Sequence, residues 1–242
     1  MTAPRALARR AAAEFVGTAA LVAVVIGSGL QAGALSPDTG VRLLANSLAS
    51  ALGLALLVAL FGPVSGGHFN PVVTLSEWWS NRRTTPLREP AAYLAAQLAG
   101  ALGGALLAEA MYGRAPGAWS TQVRDGNHLL LGELVATAGL VLLIRGLQRI
   151  GRTGLVPVAV GGYLAAAIWF TSSGSFVNPA ATVARSLSDS FTGIAPGSLP
   201  GFLAAQLAGG LLGIALAALL YGPAPATTTA TTPATATATA RE

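Results

Sequence analysis

The stretch SGGHFNPVVTL, residues 65–75, decides the fold of this chain because it sets polar and helix-breaking residues between strongly apolar segments. Asn70 is a favoured N-cap, and Pro71 suits the first helical position, where the backbone N–H has no intrahelical partner anyway. The helix predicted here covers residues 70–80, since Asn81 and two arginines follow. At ~1.5 Å per residue it spans only about half of a bilayer's hydrocarbon core. We therefore predict a re-entrant half-helix whose N-terminus lies near the membrane midplane.

The composition indicates an integral membrane protein. The 242 residues are 53% hydrophobic and 10% charged, with a mean hydropathy of +0.62, whereas soluble domains carry about 25% charged residues. The first apolar stretch follows arginines, as in a signal peptide, but it is longer than a signal core and contains Glu14, so we interpret it as a retained span. The chain has no Cys, which excludes disulfides and thiolate metal sites.

Six apolar segments are each near the length needed to cross a bilayer, so the predicted fold class is an all-α membrane protein with six transmembrane helices and two re-entrant half-helices. The segments cover residues 11–31, 41–61, 90–112, 128–146, 155–170 and 200–221.

The chain repeats itself. AEFVGTA (13–19) is echoed by GELVATA (132–138), AAQLAG (95–100) by AAQLAG (204–209), and Asn70-Pro71 by Asn178-Pro179. Each repeat has an odd number of spans, three, so the second half must insert upside down relative to the first. Inverted repeats with interrupted helices place a transport site near the midplane. The predicted organisation is a first repeat over 1–112, a linker over 113–127, a second repeat over 128–221 with its half-helix at 178–188, and a disordered Ala/Thr/Pro tail over 222–242.

The arginines predict an orientation. With the N-terminus inside, ten of the fourteen lie in inside loops and the tail, and only Arg42, Arg114, Arg124 and Arg185 lie outside. By the positive-inside rule, both termini are expected in the cytoplasm of a cell whose inner or plasma membrane holds this multi-pass protein.

The paired motifs around Asn70 and Asn178 resemble those of the aquaporin, or major intrinsic protein, family. SGGHFNPVVT, the second motif Asn178-Pro179-Ala180, and the AEF and AAQ sequences all match, and the first motif departs with Val72 in place of the usual Ala. The resemblance implies one pore per protomer, a homotetramer, and two half-helices that meet by their Asn-Pro ends. Each capping Asn is expected to keep its amide donors free for a passing solute, and the two positive helix ends to repel cations.

The second motif departs from the family at Ala181, where an arginine usually forms the narrow outer filter. Counting by family spacing places the other filter positions at Ser50, Ala166 and Ser175, so the resemblance implies a wide, uncharged constriction. Arg185 lies one helical turn further out, at the expected outer mouth. NPAATVARSLSD also resembles a bacterial branch linked to arsenic resistance, whose substrate would be neutral arsenous acid.

Glu14 and Glu133 lie inside apolar spans at repeat-equivalent positions, where a carboxylate is costly and normally faces the bundle interior. The resemblance implies that they support the re-entrant backbone, and a proton relay is the weaker alternative. We expect Glu→Gln to preserve folding and Glu→Ala to leave backbone donors unpaired. His68 resembles the family histidine at the inner pore mouth.

We conclude from the sequence that this is a passive channel for glycerol-type polyols, arsenous acid and water. The alternatives are a water-selective aquaporin or, less favoured, a coupled secondary transporter, for which an acidic ion-binding cluster is missing. The sequence carries no catalytic or metal-ligand motif, so we expect no enzyme activity, cofactor, metal or nucleic-acid partner. The expected partners are neutral solutes, water and lipid.

Overall fold

The computed structural model describes residues 3–222, with side chains from Ala6 onward. The predicted tail over 222–242 lies outside this range apart from Gly222. The described chain forms eight α-helices and no strands: α1 (Ala3–Leu35), α2 (Thr39–Ser65), α3 (Pro71–Asn81), α4 (Arg88–Met111), α5 (Asn127–Arg149), α6 (Val156–Phe170), α7 (Pro179–Arg185) and α8 (Leu199–Tyr221). Short 3-10 turns, Thr153–Leu155 and Pro196–Ser198, precede α6 and α8.

Six of these helices are long and apolar enough to cross a membrane: α1, α2, α4, α5, α8, and α6 with its preceding 3-10 turn. Five of them contain one predicted apolar segment each, and α4 ends one residue before its segment 90–112 does, which confirms the fold class. Because the six alternate in direction, α1 begins and α8 ends at the same end of the bundle, called here the termini face.

Two short helices, α3 and α7, do not cross the bundle. The helix α3 has 11 residues and α7 has seven, so their lengths are about 16 Å and 10 Å. The prediction for α3 is correct within one residue, but α7 ends at Arg185 rather than at residue 188. It ends early because the hydroxyl of Ser186 donates to Val183 O and the chain then turns at Ser186 and Leu187.

The two halves pack in the same way, α1 against α4 and α5 against α8. In each pair two glycines, four residues apart, lie directly on the backbone of the neighbouring helix. A Cβ at any of them would come within 2.6 Å of a backbone oxygen or overlap it. Such small-residue pairs let helix backbones approach closely in a bilayer. The pairs are Gly100 and Gly104 on Phe15 and Ala19, and Gly209 and Gly213 on Leu134 and Ala138.

Candidate functional site

The half-helices α3 and α7 begin with side-chain caps. Asn70 has an extended backbone, and its Oδ1 accepts a hydrogen bond from the backbone N–H of Val72 at 2.9 Å. Asn178 is also extended, and its Oδ1 accepts from the N–H groups of Ala180 and Ala181 at 3.1 and 3.2 Å. In each helix the next residue, a proline, takes the first helical position, as its missing N–H allows.

The side-chain amide of each capping asparagine also binds the re-entrant loop of the other half. Nδ2 of Asn70 donates to the carbonyl of Val177, and Nδ2 of Asn178 donates to the carbonyl of Phe69, both at 2.7 Å. The expectation that the amide donors are wholly free is therefore wrong. An amide nitrogen carries two hydrogens, so one hydrogen per asparagine remains for the space that the two residues line.

Glu14 lies fully buried behind the first re-entrant loop. One carboxylate oxygen accepts from the hydroxyl of Ser65 and the N–H of His68, at 2.6 and 3.0 Å. The other accepts from the N–H of Phe69 and the amide of Gln97, at 2.7 and 2.8 Å. Because the backbone N–H groups point to the carboxylate, residues 68 and 69 hold a tight turn in which Phe69 adopts a φ of +48°.

Glu133 takes the equivalent position behind the second loop, also fully buried. Its two oxygens accept from the N–H groups of Phe176 and Val177 at 2.8 and 2.9 Å, and Gln206 adds an amide donor at 2.7 Å. Val177 has a φ of +47°, which is unfavourable for a β-branched residue. The contacts to the carboxylate hold the chain in this conformation.

Two threonines, which the sequence analysis did not identify, bind the glutamines that contact the two buried carboxylates. Gln97 donates to Oγ1 of Thr74 as well as to Glu14, and Gln206 donates to Oγ1 of Thr182 as well as to Glu133, with all four distances 2.7 or 2.8 Å. Each threonine lies four residues after a capping Asn. That shared spacing within the two motifs was the available signal.

One cavity of about 610 Å³ runs through the bundle between these elements. Its wall is largely aliphatic and reaches from Glu77 and Thr153, near the termini face, past both capping asparagines to Asn46 and Arg185 near the opposite face. On α2 and α6 the wall is a stripe with four-residue spacing, as expected for one face of a helix. The stripes are Asn46, Ser50, Leu54 and Val58 on α2, and Val156, Val160, Leu164 and Ile168 on α6.

Three of the four expected filter positions line this cavity, namely Ser50, Ser175 and Ala181. The hydroxyl oxygens of Ser50 and Ser175 are buried and have no hydrogen-bond partner within residues 3–222. Ala166 was wrongly placed, because it is exposed on the outer face of α6. At 3.6 residues per turn, a residue two positions from Leu164 and Ile168 points roughly away from them. Ile168 is therefore the α6 residue at this end of the cavity.

Arg185, which the sequence analysis placed at the outer mouth, also lines the cavity, so the cavity wall carries a charged side chain there. The side chain is 9% exposed, and its Cζ lies 3.3 Å from the centre of the Phe176 ring. Its Nε donates to the carbonyl of Thr192 at 2.5 Å. No carboxylate lies within ion-pair distance of it in the described chain. A cation is attracted both to an aromatic face and to a carbonyl oxygen, so these two contacts hold the guanidinium in place.

At the other end, His68 lines the cavity and contacts Thr74, with Nδ1 3.1 Å from Oγ1. Glu77 lies nearby at the cavity wall and forms a 2.6 Å ion pair with Arg145. Arg145 is buried, and Gln148 bonds to both members of the pair. The described side chains form no cluster of His, Cys, Asp and Glu suited to a metal ion.

Val72, the departure from the usual Ala of the first motif, packs against a glycine. A Cβ on Gly210 of α8 would overlap Cγ1 of Val72. At the repeat-equivalent position of the other half, Ala101 of α4 lies in one buried cluster with Ala180. A larger residue on one helix is therefore matched by a smaller one on its neighbour.

Comparison with known proteins agrees with this arrangement of helices around a cavity. A sequence model of the major intrinsic protein family matches residues 2–171. The chain is 47% identical to aquaglyceroporin AqpS of Rhizobium meliloti over 191 residues, which are 79% of this chain and 81% of the relative. It is 35% identical to the probable aquaporin AqpM of Archaeoglobus fulgidus, covering 78% of this chain and 86% of the relative.

The fold also matches a solved structure, that of the aquaglyceroporin from Plasmodium falciparum. The TM-score is 0.68 at 19% sequence identity, and the match covers 87% of this chain and 94% of the other. At this identity the likeness concerns the arrangement of the helices alone.

Proposed function

Because this chain belongs to the major intrinsic protein family, whose members are passive membrane channels and not enzymes, we propose that it conducts uncharged solutes of glycerol size, together with water, along the cavity between α3 and α7. The observation that carries this proposal is Ala181 in the cavity wall directly after the second motif. A methyl group there leaves room beside the hydroxyls of Ser50 and Ser175.

Those two hydroxyls suit a polyol. Both lack a protein partner in residues 3–222, and buried polar groups normally find one. A permeating solute with several hydroxyls can bond to them when their side chains turn toward the cavity, while Ile168 and Leu164 on α6 provide an apolar wall for its carbon atoms. The relative that is 47% identical is named an aquaglyceroporin, which supports a solute larger than water. Neutral arsenous acid has three hydroxyls and is the second solute that we propose.

Exclusion of ions follows from the electrostatics of the same cavity. The N-termini of α3 and α7 meet beside Asn70 and Asn178, and a helix N-terminus carries roughly +0.5 charge. Arg185 adds a cation without a carboxylate partner in the described chain. Glu77, near the other mouth, is paired with Arg145. The helix ends and Arg185 favour a positive potential in the cavity, which raises the barrier for protons and metal cations, and the buried carboxylates of Glu14 and Glu133 offset part of it.

We assign supporting roles to the buried carboxylates and to His68. Glu14 and Glu133 hold the two re-entrant loops, whose N–H groups they bind, so that the loop carbonyls can face the cavity. Neither carboxylate appears in the cavity wall, which favours support over a proton relay. His68 and Glu77 form the polar mouth near the termini face. As in the family, we propose a homotetramer in the inner or plasma membrane with both termini in the cytoplasm.

A specific observation favours a second candidate, a water-selective channel. Arg185 and the ring of Phe176, which contact each other, line the same cavity as Ala181. A guanidinium that extends across the cavity would narrow it to the size of a water molecule. It would then exclude polyols by size and by competition for hydrogen bonds.

Stopped-flow light scattering on proteoliposomes separates these functions. Water, glycerol, urea and arsenous acid should be compared at matched protein levels, with empty liposomes as the control. A glycerol permeability well above that of empty liposomes supports the proposal, and water permeability without glycerol permeability supports the second candidate. Uptake that saturates at low solute concentration or requires an ion gradient would indicate a coupled transporter instead.

A further inference from the structure

Glu109, near the end of α4, is a buried carboxylate that the proposed function does not use. It is 1% exposed, and its Oε2 accepts from Nε of Arg114 at 2.7 Å. Its Oε1 accepts from the hydroxyl of Ser188. The AAQLAG repeat aligns this position with Ala218 in α8, so Glu109 has no counterpart in the second half. A buried carboxylate is costly. One that is present in only one half of the chain suggests a role beyond the structure that the two halves share.

A chain of buried hydroxyls leads from Glu109 into the loop between α7 and α8. Ser188 lies 2.9 Å from Ser190, and Ser190 lies 3.1 Å from Oγ1 of Thr192. Each hydroxyl has one proton to donate, and a carboxylate can only accept. Ser188 is therefore the donor to the carboxylate, and the hydroxyls of Ser190 and Thr192 extend the chain of contacts from it. Such chains polarise each member and stiffen the segment that carries them.

The far end of this chain holds Arg185. Thr192, whose hydroxyl ends the chain, supplies the carbonyl that accepts from Nε of Arg185. The methyl group of Thr192 occupies the space that Gly29 of α1 leaves, since a Cβ on Gly29 would overlap it. Thr192 is fixed by its hydroxyl on one side and its methyl on the other, and its carbonyl is fixed with it.

Arg124 holds the same loop from the opposite side. Its Nε donates to the carbonyl of Gly193 at 2.7 Å and its Nη2 to that of Phe191 at 3.1 Å. The carbonyl that binds Arg185 thus lies between two residues clamped by Arg124. Without the hydroxyl chain, the loop keeps this clamp and the bond from Arg114 to the carbonyl of Asp189, but it loses its contact with the Glu109 carboxylate on α4.

We infer that Glu109 is a positioning residue for selectivity: through Ser188, Ser190 and Thr192 it sets where the Arg185 guanidinium lies in the channel. The inference rests on the proposed function, in which Arg185 adds a cation to the channel wall. It predicts that a residue outside the cavity wall changes which solutes pass.

The test is a double-mutant cycle of E109A and R185A in proteoliposomes, with the ratio of glycerol to water permeability as the readout. The ratio does not depend on how much protein is active. R185A should raise the ratio severalfold because it removes the guanidinium. E109A should change the ratio severalfold in the wild-type background and leave it unchanged in the R185A background.

Two further variants separate positioning from simple damage. S188A removes the first hydroxyl but keeps the Glu109–Arg114 pair, so it should also change the ratio severalfold, and it carries the test alone if E109A does not fold. E89A is the matched control: Glu89 lies at the other end of the same helix and pairs with Arg10, and it lines a side cavity near the termini face rather than the wall that contains Arg185. It should leave the ratio unchanged.

The failures are distinguishable. R185A without any effect on the ratio refutes the role of Arg185 in the filter, and the inference with it. If R185A changes the permeability ratio but E109A and S188A do not, only the role of Glu109 is refuted. Equal shifts by E109A in both backgrounds also overturn the inference, because Glu109 would then act independently of Arg185.

Discussion

Asn70 and Asn178 bind each other's loops: each caps its own half-helix with Oδ1 and donates Nδ2 to the carbonyl that precedes the other asparagine, at 2.7 Å in both directions. The residues come from opposite halves of the chain and are 108 positions apart (178 − 70). The contact fixes the two re-entrant loops to one another beside the cavity that both asparagines line. It also orients the remaining amide hydrogens toward the space that both residues line.

Asn70→Asp and Asn178→Asp should each destabilise the protein. Aspartate keeps the oxygen that caps the helix but places a second oxygen against a carbonyl at hydrogen-bond distance. The lost bond and the unpaired carbonyl should lower the free energy of unfolding by ~1–3 kcal/mol. Thermal unfolding in detergent measures this, with Asn127→Asp at the exposed start of α5 as the control. Wild-type stability in both variants would show that the cross-link does not hold the loops.

Glu14→Gln should destabilise the protein nearly as much as Glu14→Ala. The sequence alone suggested that glutamine preserves the fold, but each carboxylate oxygen of Glu14 accepts two donors. An NH2 group at either oxygen would face two donors without an acceptor, at ~1–3 kcal/mol for each unsatisfied group. Detergent stability of both variants, with Glu89→Gln as control, decides between these expectations. A stable Glu14→Gln variant would mean that the local donors can rearrange.

Ala181→Arg should reduce glycerol permeability more than water permeability. A second guanidinium, one turn before Arg185, narrows the path where the methyl group now leaves space. We expect at least about a tenfold loss for glycerol, which corresponds to ~1.4 kcal/mol of added barrier. Stopped-flow measurements at matched protein levels test this, and uptake of arsenous acid should fall with that of glycerol. Unchanged permeability to glycerol would place the constriction elsewhere.

Gly210→Ala should destabilise the protein, and Val72→Ala should rescue it. The added methyl overlaps Val72, and overpacking of this kind costs ~1–3 kcal/mol. The double variant recreates the alanine pair that Ala101 and Ala180 contribute in the other half. A coupling energy of ~0.5–3 kcal/mol is expected for residues in contact. Additive effects in unfolding experiments would show that Val72 and Gly210 do not share this space.

Local sequence features carried most of the fold. An N-cap followed by proline is a property of adjacent residues, so α3 and α7 could be located at Asn70 and Asn178 before any packing was known. Span length is equally local, because an apolar segment of sufficient length needs no partner to be identified. The repeat then related the two halves and placed Glu14 and Glu133 behind equivalent loops.

The channel wall depended on tertiary structure. Counting along the chain placed Ala166 in the filter, yet the rotation of α6 turns Ile168 inward, and rotation is set by packing against neighbouring helices. Arg185 likewise enters the wall because the Thr192 carbonyl and the Phe176 ring hold its long side chain there. The direction of a flexible side chain is set by the groups that bind it, and here those groups lie in the loops before and after α7. The sequence by itself determined which elements exist and where they begin, and only the tertiary structure decided which side chains face the solute.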